Sequence, residues 1–138
     1  MNWKLIFSLS LFGLAMAIAT VYVIPSNTEP FCWLVIFIIC AWIIAKRCSG
    51  KYFLHGLMVS LVNSVWITAA HIILFHTYIT NHPQEATMME KMPMPASPRI
   101  TMALIGPVVG LVSGIILGLF SLIASKIIHK NNSATKAA

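Results

Sequence analysis

The chain has 138 residues, 59% of them hydrophobic and 9% charged, with a mean hydropathy of +0.88. Water-soluble domains carry about 25% charged residues, so this composition excludes a water-soluble fold. The net charge of +6 does not mark a nucleic-acid binder, because its basic residues sit in short groups beside apolar runs.

Apolar runs compatible with a bilayer crossing, which takes roughly 20 residues, are predicted at about 5–24, 31–46, 54–78 and 100–126. They use most of the chain and leave no room for a separate soluble domain. The first is rich in small residues (Gly13, Ala15, Ala17, Ala19, Thr20) that permit close packing, and it ends at Pro25. Its length, continuing through Val21-Tyr22-Val23-Ile24, speaks for a retained span over a cleaved signal peptide. Pro30 suits the first turn of the second span, which is short and carries Trp33 and Trp42 near its ends. Cys32, Cys40 and Cys48 stand eight residues apart, about 12 Å along a helix, too far to bridge within it. They read as packing residues.

The third span concentrates polarity. Leu57, Ser60, Ser64, Ile67, His71, Leu74 and Tyr78 share one helical seam, with Asn63 beside it. Such groups must face protein or water, since unpaired polar groups in hydrocarbon are costly. Ser60, Asn63, Ser64, His71 and Tyr78 therefore form a candidate intramembrane polar site.

A connection at 79–99 follows, containing His82, Met88, Met89, Met92 and Met94, with His76 just before it. Thioether and imidazole donors favour soft ions such as Cu(I), so these six residues form a candidate metal-handling set. Methionines packed on the bundle surface are the alternative.

The fourth span starts at Ser97-Pro98, and Pro107 should kink it by leaving the Ala103 carbonyl without its donor. Gly106, Gly110, Gly114 and Gly118 then recur every fourth residue among Val, Ile and Leu. Each glycine would cost about 1 kcal/mol against alanine in a soluble helix. In a membrane helix the same pattern strips one face to the backbone and admits a close neighbour. That neighbour is another span of the same chain or a second copy. Residues 131–138 are expected to be a disordered tail.

Lys4, the Lys46–Lys51 group and the lysines after the fourth span alternate with connections holding few net charges. The positive-inside rule then places both termini in the cytoplasm and 79–99 outside. Nucleophile elbows, H-E-x-x-H helices and phosphate loops do not occur, and Ser113-Gly114 lacks the flanking glycine of an intramembrane serine protease.

The short second span, the Asn63-Ser64-Val65-Trp66 stretch, the proline-containing outer connection and the Gly106-to-Lys130 helix resemble small four-span inner-membrane proteins of bacteria of the domain-of-unknown-function type. The resemblance covers nearly the whole chain as a layout. It implies an all-α, four-helix transmembrane bundle in a bacterial inner membrane and assigns no site. The leading expectation is a non-enzymatic protein without cofactor. It would act through helix–helix association in the bilayer, as a homo-oligomer or as an accessory or scaffold subunit of a partner membrane protein. A small transporter with a path past Asn63 and His71 is the second reading, and copper handling by the outer connection the third.

Overall fold

The computed structural model describes residues 1–91 and 97–137, with side chains described through His129. Its six helices run in chain order: α1 (Trp3–Tyr22), α2 (Glu29–Arg47), α3 (Tyr52–Ile73), α4 (Phe75–Asn81), α5 (Pro83–Glu90) and α6 (Pro98–Ala137). Four are long and apolar enough to cross a membrane: α1, α2, α3 and, within α6, Pro98–His129.

Local chemistry sets the ends. The Asn2 side chain accepts from the Leu5 amide and caps α1, and Pro30 occupies the first turn of α2. Lys51, with φ 52°, makes the left-handed turn into α3. The Ser97 carbonyl accepts from the amides of Ile100 and Thr101 and opens α6. Pro107 lies inside α6 without ending it.

Three stretches differ from the sequence reading. The third long helix does not run to Tyr78 but stops at Ile73, and a new helix starts at Phe75. Leu74 bridges them, donating to the Ala70 carbonyl and accepting from the Tyr78 amide. Residues 79–91, read as part of a loop, include the end of α4 and all of α5. The backbone of 131–137 continues α6, where a disordered tail was expected.

α3 lies between α1 and α6, and α2 packs against α6. Near the end that carries the N-terminus, Arg47 and His129, the four long helices close on one core of Ile6, Leu9, Cys40, Ala41, Ile44, Val59 and Leu117. Polar ties pin that same end. The Asn2 amide donates to His55 Nε2 at 3.0 Å, and Tyr52 Oη pairs with His129 Nε2 at 2.9 Å. Because His55 Nε2 accepts, its Nδ1–H is the donor to the Lys51 carbonyl at 2.9 Å. α2 has little contact with α3, and at the opposite end the helices enclose space. The outward faces are apolar throughout, with Phe7, Leu11, Val35, Ile38, Val65, Val108 and Val112 exposed.

Candidate functional site

The glycines of α6 all face α3. A Cβ at Gly106 would strike Thr68, at Gly110 Ser64, at Gly114 Leu57 and at Gly118 Phe53. The stripped face therefore receives another helix of the same chain. α3 contributes its own glycine: a Cβ at Gly56 would lie 2.7 Å from the Gly118 amide nitrogen. Ser60 Oγ reinforces the contact, donating to the Gly110 carbonyl at 3.2 Å. On the other side of α3, Asn63 fills the space left by the missing side chain of Gly13 in α1. Trp66 Nε1 donates to Ser10 Oγ at 3.3 Å beside it.

Where α2 parts from α3, a half-open cavity of about 650 Å³ remains. Ser60, Asn63, Ser64, Thr68 and His71 line it from α3; Glu29, Trp33 and Phe37 line it from α2. Met102, Ile105, Val109 and Ser113 of α6 form a third wall, and Tyr78, Glu85 and Met89 stand at the end away from the core. The volume falls within the ~300–1,000 Å³ usual for small-molecule sites. All five residues of the candidate polar site thus border one space, including Tyr78 from across the helix break. Its ring stacks on His71 at 4.2 Å between centroids.

Among the described residues, four buried polar atoms have no hydrogen-bond partner: Asn63 Nδ2 and Oδ1, His71 Nε2 and Glu85 Oε2. All belong to residues lining this cavity. Asn63 is only 2% exposed. A buried polar group without a partner costs about 1–3 kcal/mol, and native structures hold few of them. Their concentration on residues of one cavity sets this region apart from the rest of the bundle.

Glu29 and Glu85 were not legible as site residues. Each stands in the first turn of its helix, a position that reads as compensation of the helix dipole. Glu29 Oε1 also accepts from Trp33 Nε1 at 3.1 Å, an i, i+4 pair that sequence spacing alone could have exposed. Only the fold brings both carboxylates to the same space as His71. Their field is felt at the Tyr78 phenol: burial first, then Glu85 and Glu29, push it up to about 12.

The residues proposed to hold a soft metal occupy different surroundings. His82 is 3% exposed, with Nδ1 3.0 Å from the Tyr78 carbonyl and Nε2 3.2 Å from the Ile24 carbonyl. Both partners only accept, so a neutral ring satisfies one and the doubly protonated ring satisfies both. Its ring also stacks on Tyr78 at 4.6 Å. His76 and Met88 are exposed, whereas Met89 lines the cavity. Met92 and Met94 lie outside the described residues. No cluster of three or more His, Cys, Asp or Glu suited to a metal occurs among the described residues.

His82 instead ties the α1–α2 connection to α4, together with Asn81, whose Nδ2 donates to the Val21 carbonyl at 2.7 Å. His82→Phe preserves a stacking ring and removes both carbonyl contacts. It is expected to cost about 1–3 kcal/mol and to speed hydrogen exchange in residues 23–28, measured by mass spectrometry. Unchanged exchange there would assign the tie to the stack alone.

Comparison with known protein families, curated proteins and solved structures finds no match to this chain.

Proposed function

We propose that this is a four-span membrane protein that binds a small molecule in the cavity between α2, α3 and α6 and carries it across the bilayer, without catalysis. The observation that bears most weight is the set of unpartnered polar atoms on Asn63, His71 and Glu85 around a single cavity of about 650 Å³. The apolar exterior supports insertion, since a water-exposed surface of this kind would aggregate. The placement of Lys4, Lys46, Arg47 and Lys51 at the core-packed end supports a cytoplasmic location for both termini. In a bacterial inner membrane the cavity would then face the periplasmic side.

Two features favour this reading over a scaffold acting through the glycine ladder. The ladder is occupied by α3 of the same chain, so it offers no free face to a partner. Asn63 and His71 meanwhile hold hydrogen-bonding capacity unused among the described residues, which structural glue would have spent between helices.

Accessibility tests the reading. With Cys32, Cys40 and Cys48 replaced by alanine, Ser113→Cys places a nearly isosteric thiol on the cavity wall. In oriented vesicles a membrane-impermeant thiol reagent is expected to label it from the periplasmic side only. Labelling from neither side would remove the aqueous cavity, and labelling from the cytoplasmic side would reverse the topology.

A further inference from the structure

Resting on this cavity reading, we infer that the ligand is an amphipathic organic monocation, its charge held by Glu85 and Glu29 and its apolar body lying between Trp33, Phe37 and Tyr78. The charge distribution of the chain carries the argument. Nine Lys and Arg stand against three acidic residues, yet the cavity lining inverts that ratio: it includes Glu29 and Glu85 and, among the described residues, neither Lys nor Arg. One carboxylate oxygen, Glu85 Oε2, is buried without a donor among the described residues. A buried carboxylate needs a cationic or N–H partner to offset its desolvation.

The rest of the lining sets the shape of that partner. Most of the wall is apolar: Leu34, Ile67, Ile105 and Val109 accompany the aromatic rings. A bare inorganic cation would find too few oxygens there to replace its water, whereas an organic body would be covered and its charge could also face aromatic π-surfaces. An anion would meet two carboxylates and no fixed positive side chain. Helix-dipole compensation explains why acids stand at these two helix starts. It does not explain the second, independent observation, that His71 Nε2 on the same wall is buried and, among the described residues, without a partner. That imidazole, stacked on Tyr78, supplies a polar contact beside the aromatic rings.

Tetraphenylphosphonium, tetraphenylborate and triphenylphosphine oxide test the charge at nearly constant shape. Binding is measured by equilibrium dialysis to the full chain in phosphatidylcholine nanodiscs, over the background of empty discs. Tetraphenylphosphonium is expected to bind at least tenfold tighter than tetraphenylborate, and Glu85→Gln with Glu29→Gln should weaken it about tenfold or more. The variant's monodispersity and unfolding temperature report whether it folds. Where it does not, Glu85→Gln alone and the comparison of probes on the unaltered chain still decide. Equal or tighter binding of the borate or the oxide, or undiminished phosphonium binding by a folded Glu-to-Gln variant, overturns the cation assignment. It leaves the cavity standing if Ser113→Trp, which fills it, abolishes whichever probe binds. Failure of all three probes to bind overturns the cavity reading and the cation with it.

Discussion

Replacing Gly56 by alanine is expected to destabilise the bundle more than the same change at any glycine of the α6 ladder. A Cβ there would lie 2.7 Å from the Gly118 nitrogen, 2.8 Å from its Cα and 2.8 Å from the Leu117 carbonyl carbon. These are backbone atoms of a helix and cannot step aside, so α3 and α6 must separate. Alanine gains about 1 kcal/mol over glycine in a helix interior, while forced overpacking costs about 1–3 kcal/mol or more. At Gly56 the collision wins, and a net loss of about 2 kcal/mol is expected. Gly118 is next, because Phe53 contributes its backbone oxygen at 2.9 Å as well as its ring. At Gly106 the three nearest atoms all belong to the Thr68 side chain, which can give way, so loss and gain nearly cancel. Gly50, with open space around the position of its Cβ, is the control, expected neutral or slightly stabilising. Thermal unfolding of the purified chain followed by circular dichroism reads the order. A Gly56→Ala chain as stable as Gly50→Ala would mean that the two helices are not held this close.

That order could not have been read from the sequence, although much of the bundle could. The four apolar runs, the proline starts of the second and fourth, and the polar stripe of the third follow from local composition and spacing, and each has a helix or a helix face behind it. Gly56 carries no such signal. It stands alone in its helix, and its closeness to Gly118 depends on how α3 crosses α6. The break at Leu74 was hidden for a related reason: residues 71–78 keep a helical periodicity on both sides of it, and Tyr78 reaches His71 as if the helix were unbroken. His82 looked like an available ligand because it stands with the methionines of the outer connection; the Tyr78 carbonyl one turn back and the Ile24 carbonyl from the α1–α2 connection face its ring nitrogens instead. The carboxylates followed the same rule. All three acids stand outside the apolar runs, and only the fold, through α2 and α5, carries Glu29 and Glu85 to the cavity that His71 lines.

Asn63→Leu is expected to make the protein more stable and inactive in binding. Asn63 is 2% exposed, and neither atom of its amide is hydrogen-bonded among the described residues. Leaving it so costs the folded chain about 1–3 kcal/mol. Leucine branches at the same carbon, fits the hollow opposite Gly13 with modest adjustment, and adds burial of apolar surface at about 25 cal/mol per Å². The sum favours the variant by about 1–2 kcal/mol, an estimate resting on the same desolvation term. The cost of N63L falls on the ligand, which loses a polar residue of the cavity lining and should bind at least tenfold more weakly. Natural chains keep such destabilising groups where function uses them, so the two effects must appear with opposite signs. Asn63→Ala separates polarity from volume: it removes the same amide but opens a void against Gly13, and it should forfeit stability through lost packing. Unfolding temperature and probe binding on the three chains decide between the roles. If Asn63→Leu unfolds earlier than the parent, the amide has partners that hold α1 to α3, and Asn63 belongs to the bundle's structure rather than to its cavity.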